Sequence, residues 1–125
     1  MDFEIKRHRL RGFDRDQAEQ RKKAEGEWIL SQLDESETLI LFDERGKNLN
    51  SIEFAQSLAR VLESGQRRIT LLVGGPFGVG ENIKNRAQQK WGLSPLTFNH
   101  LVAGIVTLEQ LYRAMTIIKR IPYHN

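Results

Sequence analysis

The sequence predicts an α/β fold with a parallel sheet, in a single domain spanning residues 1–125. Two observations carry that expectation. The clearest strand candidates, Thr38-Leu39-Ile40-Leu41-Phe42 and Ile69-Thr70-Leu71-Leu72-Val73, are apolar almost throughout rather than alternating, as strands covered on both faces must be. Helical patterns separate them, which is how parallel strands are connected. Length sets the scale: 125 residues suffice for one core and not for two ordinary ones.

Taken in order, Phe3 and Ile5 alternate with polar neighbours and suggest a short strand at 3–10, although Leu10 falls off that phase. Asp14 with Gln17 resembles a capping box. Behind it Ala18, Ala24, Trp28, Ile29 and Leu33 form a ragged stripe for a helix ending near Gln32. Gly26 inside that helix costs about 1 kcal/mol relative to alanine. The strand 38–42 is expected to stop at a loop, Asp43-Glu44-Arg45-Gly46-Lys47. Ser51 is expected to cap a helix from Ile52 to about Glu63, with Ile52, Phe54, Ala55, Leu58, Ala59 and Leu62 inward and Gly65 at its end.

After the strand 69–73, Glu81 to Lys90 reads as a polar helix with Ile83 and Ala87 one turn apart. Leu96 to Phe98 reads as a last short strand. His100 opens a long helix whose inward face is expected to be Leu101, Ile105, Leu108, Leu111 or Tyr112, Met115 and Ile118. Glu109 and Arg113 form an i,i+4 pair in the favourable order, and Pro122 ends the helix. There is no internal repeat, low-complexity tract or linker.

Composition narrows the classes. With 39% hydrophobic and 28% charged residues the chain reads as globular, not disordered. No window is expected to reach the roughly 18–20 apolar residues of a membrane span. Met1-Asp2-Phe3-Glu4 lacks the features of a signal peptide, so a cytoplasmic location is expected. The absence of cysteine excludes a disulfide framework, a thiolate zinc site and a thiol nucleophile, and no metal is expected. The net charge of +3 is concentrated in Lys6, Arg7, Arg9 and Arg11 and in Lys119 and Arg120, clusters that suit an anionic partner such as RNA.

The turn Gly74-Gly75-Pro76-Phe77-Gly78-Val79-Gly80 excludes two ligands. A phosphate-cradling loop ends in Gly-Lys-Ser/Thr, whereas Gly80 is followed by Glu81-Asn82. A dinucleotide fingerprint needs a third glycine, absent from Gly78-Val79-Gly80-Glu81-Asn82-Ile83, and Glu81 would repel a pyrophosphate. Two readings stay open: an ordinary strand-to-helix turn, or a turn whose backbone lies against a ligand without phosphate.

Four segments together resemble one family. Leu71-Leu72-Val73-Gly74-Gly75-Pro76-Phe77-Gly78, Leu93-Ser94-Pro95-Leu96-Thr97-Phe98-Asn99-His100, Glu109-Gln110-Leu111-Tyr112-Arg113-Ala114 and the terminal Pro122-Tyr123-His124-Asn125 stand in the order and spacing of the RlmH family of SPOUT-class rRNA methyltransferases. The match is close over residues 38–125 and looser before. The resemblance implies a C-terminal deep trefoil knot, a homodimer, and methylation of N3 of a pseudouridine in 23S rRNA of the assembled ribosome by S-adenosylmethionine. It implies that the cofactor is held by Phe42, Gly74 and the loop Leu93, Ser94, Pro95, Leu96, Thr97 and Phe98.

It also implies catalytic roles for His100, Arg113, Tyr123 and His124, the last two reaching the partner subunit's site. Two of these roles have a plainer competitor, a helix N-cap for His100 and a surface partner of Glu109 for Arg113, whereas a terminal Tyr-His has little structural reason to exist in a free tail. His8 reads as a surface histidine.

Two departures qualify the resemblance. Family members carry a first strand and helix of some thirty residues ahead of the segment matching Phe3, so four strands are expected here rather than five. Gly104 stands where the family usually has an arginine, four residues after the histidine. The alternative to an enzyme is therefore a shortened or decayed relative that binds S-adenosylmethionine or RNA without methylating. An unrelated nucleotide-binding α/β domain requires the four-segment match to be coincidence.

Overall fold

In the computed structural model, which describes residues 4–7, 12, 14–65 and 68–125, the strand beginning at Thr38 lies at the centre of the sheet. The elements are α1 (Ala18–Ser31), β1 (Thr38–Asn48), α2 (Ser51–Glu63), β2 (Ile69–Val73), α3 (Glu81–Arg86), β3 (Gln89–Gly92) and α4 (His100–Ile118). A single 3-10 turn, Arg15–Gln17, leads into α1. The sheet order is β2-β1-β3 and both pairings are parallel. The α/β class with a parallel sheet is therefore as expected.

Successive residues of β1 feed two cores. Ile40 and Phe42 pack with Phe54, Ala55 and Leu58 of α2, Trp91 of β3 and Ala114 of α4. Leu39 and Leu41 pack with Ile83 of α3, and with Ile29, Leu30 and Leu33 at the end of α1 and just beyond it. Helices thus cover both faces, which is why Leu39, Ile40 and Leu41 are completely buried and no polar residue interrupts them. Gly26 has a reason beyond propensity: a Cβ there would collide with the Asn82 side chain of α3, so glycine lets the two helices approach.

Several boundaries differ from expectation. Three strands stand among the described residues instead of four. Of the strand expected at 3–10, residues 4–7 lie in no strand, and Phe3 and residues 8–10, His8 included, lie outside the described residues. Leu96–Phe98 is loop, and the third strand is Gln89–Gly92, taken from the end of the helix expected to run to Lys90. The helix stops because Ala87 is extended (φ −67°, ψ 129°) and the next residues pair with β1. β1 itself does not end at Phe42; past an irregularity it pairs Lys47 and Asn48 with Trp91 and Gly92.

Helix caps and faces are also corrected. Asn50, not Ser51, caps α2: its side chain accepts from the Glu53 amide at 2.8 Å while Glu53 accepts from the Asn50 amide at 3.0 Å. Ser51 is freed to donate to Gln110 of α4 at 2.8 Å, and Ile52 faces out. Gly65 (φ 79°) follows α2 as expected.

The inward face of α4 is Thr107, Leu111, Ala114, Met115, Ile117 and Ile118. Leu101, Ile105, Leu108 and Tyr112, expected inside, are 51%, 68%, 42% and 58% exposed. α4 is thus apolar on two sides. An 18-residue window of α4 has a mean hydropathy of 1.3, enough by length and composition alone to cross a membrane, although Glu109 and Arg113 interrupt it. One of those sides is spent on α2 and the sheet.

Candidate active site

The strand register gathers the three segments proposed to hold a cofactor. Phe42 lies level with Val73 on one side and Trp91 on the other. The chain therefore leaves β2 at Gly74 and β3 just before Leu93 on the same edge of the sheet, the carboxyl edge where open α/β sheets bind ligands. Phe42 is itself core: its ring stacks on Phe54 at 6.0 Å and meets the edge of Trp91 at 6.3 Å. The glycine turn is closed by a Gly78 amide bond to the Gly75 carbonyl at 3.0 Å, with Gly78 at φ 76°. A Cβ on Gly74 would lie 3.1 Å from Val79 Cγ1, so the turn's own packing already favours glycine there.

In the 93–98 loop, Leu93 packs on the core, while Pro95, Leu96 and Thr97 are exposed. Ser94 Oγ accepts from the Leu96 amide at 3.0 Å. Neither 74–80 nor 93–98 contains a charged side chain. Two clefts stand out among the described residues. The larger, about 400 Å³, is lined by Thr38, Lys47, Arg60 and Gln89 among others and includes no candidate residue. The smaller, about 290 Å³, lies between α2, Leu93 and α4 at Val106 and Gln110.

Asn99 caps α4, its side chain accepting from the Leu101 amide at 2.9 Å, so His100 is the first helical residue and not the cap. Arg113 lies thirteen residues further along, roughly 20 Å at 1.5 Å per residue. The chain therefore separates His100 from the other three catalytic candidates and joins those three tightly.

The joining begins with a turn. The Ile121 amide bonds the Thr116 carbonyl at 2.8 Å and the Arg120 amide bonds Ile117 at 3.2 Å, a Schellman ending. Its left-handed position, usually glycine, is Arg120 at φ 56°. The chain doubles back, and the tail meets α4.

There Arg113 binds Glu109 through Nη2 (2.7 Å) and Nε (3.1 Å). The Tyr123 hydroxyl donates to the same Glu109 oxygen at 3.0 Å, and the Arg113 guanidinium lies 4.8 Å from the Tyr123 ring centre. Arg113 Nη1 lies 2.9 Å from His124 Nδ1. Arginine can only donate, so Nδ1 accepts and a neutral His124 carries its proton on Nε2. Arg113 holds the Glu109 carboxyl below its ordinary value, and Glu109 in turn pushes the Tyr123 phenol up. In the sequence Glu109 stands only as the i,i+4 partner of Arg113, and nothing in the spacing shows that the tail folds onto it.

Residues 1–124 match the family described as predicted SPOUT methyltransferase. The chain belongs to that family. Its relatives include ribosomal RNA large subunit methyltransferase H of Bdellovibrio bacteriovorus, 42% identical over 123 residues, covering 98% of this chain and 79% of the relative. The proteins of the same name from Flavobacterium johnsoniae and Phocaeicola vulgatus are also 42% identical, covering 85% and 86% of this chain and 68% of each relative. These relatives place the chain in the RlmH branch that its four segments resemble.

Proposed function

We propose that this chain is an rRNA methyltransferase that modifies N3 of a pseudouridine in the 23S rRNA of assembled ribosomes, using S-adenosylmethionine and acting as a homodimer. The observation that carries this reading is the tail cluster of Arg113, Tyr123 and His124, in a chain whose relatives are named ribosomal RNA large subunit methyltransferase H. The proposal includes the deep trefoil knot of the class, with α4 drawn against α2 and β2. Bound S-adenosylmethionine would supply an electrophilic methyl group. The uncharged 74–80 and 93–98 segments suit it: they offer backbone donors and acceptors to adenine and no cation to repel a sulfonium.

Gly74→Ala is expected to weaken S-adenosylmethionine binding by about tenfold or more, equivalent to about 1.4 kcal/mol, in calorimetry. The double variant Gly74→Ala/Val79→Ala relieves the contact with Val79 and is expected to remain weak. Full recovery would mean that glycine serves the turn alone.

At the base, N3 would give its proton to solvent as the methyl arrives, and the methyl donor would leave as the neutral thioether. The Arg113 cation favours the anionic form of the base. His124, with Nδ1 occupied by Arg113, presents Nε2–H as a donor to a base carbonyl; it takes up a proton at Nδ1 only after Arg113 lets go. His100 is beyond reach of this cluster within one chain. Two copies with antiparallel α4 helices would set the His100 end of one against the tail of the other, burying the outward stripe of Leu101, Ile105, Leu108 and Tyr112.

Gly104 supports a second reading, a relative that binds without methylating. A side chain there would enter open space, since a Cβ meets nothing within 4 Å. Gly104→Arg is therefore expected to fold normally and to methylate faster than the parent chain by roughly a hundred- to a thousand-fold. If a folded, dimeric, cofactor-loaded Gly104→Arg chain transfers no methyl to unmodified ribosomes, the second reading replaces the first.

A further inference from the structure

The tail is exposed, belongs to neither hydrophobic core, and leaves α4 through a left-handed turn at a non-glycine residue. A four-residue tail with these properties is ordered only if something outside the core holds it. One carboxylate does so. Glu109 Oε1 accepts from Arg113 twice and from the Tyr123 hydroxyl, and Glu109 Oε2 accepts from Gln110 Nε2 at 2.8 Å. Tyr112 closes the far side, edge-on to Tyr123 at 4.9 Å.

We propose that Glu109 is a positioning residue: its carboxylate clasps Arg113 and Tyr123 together, fixing His124 beside Arg113 so that the three are aligned before any substrate arrives. Without it, the Arg113 guanidinium loses the partner that orients its plane, Tyr123 loses its acceptor, and the His124 contact depends on two free rotors. The carboxyl stays ionised because Arg113 favours its charged form, so the clasp holds at neutral pH. The role in the reaction rests on the methyltransferase reading above; the clasp itself does not.

The test is Glu109→Gln in the full-length chain, with Tyr123→Phe as a second variant that removes only the hydroxyl. NMR order parameters of the Tyr123 and His124 amides read the clasp without any activity. They are expected near about 0.85 in the parent and below about 0.6 in Glu109→Gln, with Tyr123→Phe between. Methyl transfer to ribosomes reads the consequence. The turnover number of Glu109→Gln is expected to fall about a hundredfold, the loss typical of misplaced groups, while KM for ribosomes and cofactor affinity stay near the parent's.

An equally rigid tail in Glu109→Gln overturns the proposal, whatever the kinetics. A mobile tail with unchanged turnover overturns it as well. If the parent chain itself transfers no methyl, the methyltransferase reading fails, and the order parameters alone decide whether Glu109 is the clasp.

Discussion

A chain ended at Pro122 is expected to fold and melt as the full chain does, to bind S-adenosylmethionine as well, and to transfer methyl groups at least about a hundredfold more slowly. The lost residues are Tyr123, His124 and Asn125, all exposed and none part of either core. Removing them takes the His124 donor away from the site and the aromatic ring away from the Arg113 cation. A positioned proton-transfer or hydrogen-bonding side chain is worth roughly a hundred- to ten-thousand-fold in rate, which sets the scale. Melting curves, calorimetry and methyl transfer on one preparation separate the effects. A truncated chain that methylates at the parent rate places the chemistry elsewhere.

Phe54→Ala is expected to destabilise the fold by about 3–5 kcal/mol, lowering the melting temperature by roughly 10–20 °C. Phe54 is buried between Phe42, at 6.0 Å, and Trp91, at 5.3 Å, and joins α2 to both strands. The neighbouring Ile52→Ala removes a side chain that is 41% exposed and should cost about 1 kcal/mol or less. Equal losses in the two variants, by thermal or denaturant unfolding, would contradict the assignment of the α2 face.

The contrast shows where the sequence was legible. The first five residues of β1 are readable because burial on both faces favours an apolar run, and β2, although half-buried at an edge of the sheet, keeps a run broken only by Thr70. β3 is not. Like β2 it is an edge strand, but its first residues, Gln89 and Lys90, are exposed and continue the polar pattern of α3; only Trp91 and Gly92 are buried. The helical period identified α4 but not its direction. A helix apolar on two sides fits either orientation, and close packing at Thr107, Ala114 and Thr116 turned Leu101, Ile105, Leu108 and Tyr112 outward.

The candidate site divides in the same way. The resemblance points to Arg113, Tyr123 and His124, which the structure brings together, and equally to His100, which stands apart. The fold-back of the tail was illegible because its pivot is Arg120 in a left-handed conformation, where glycine would have announced the turn.

The most direct test is methyl transfer by the unaltered chain. Ribosomes lacking the modification are incubated with the chain and labelled S-adenosylmethionine, and their RNA is digested to nucleosides. One labelled methyl is expected on N3 of a single pseudouridine of 23S rRNA, gained slowly and only with the chain present. A folded, cofactor-binding chain that leaves 23S rRNA unlabelled, or that labels a different nucleoside, contradicts it.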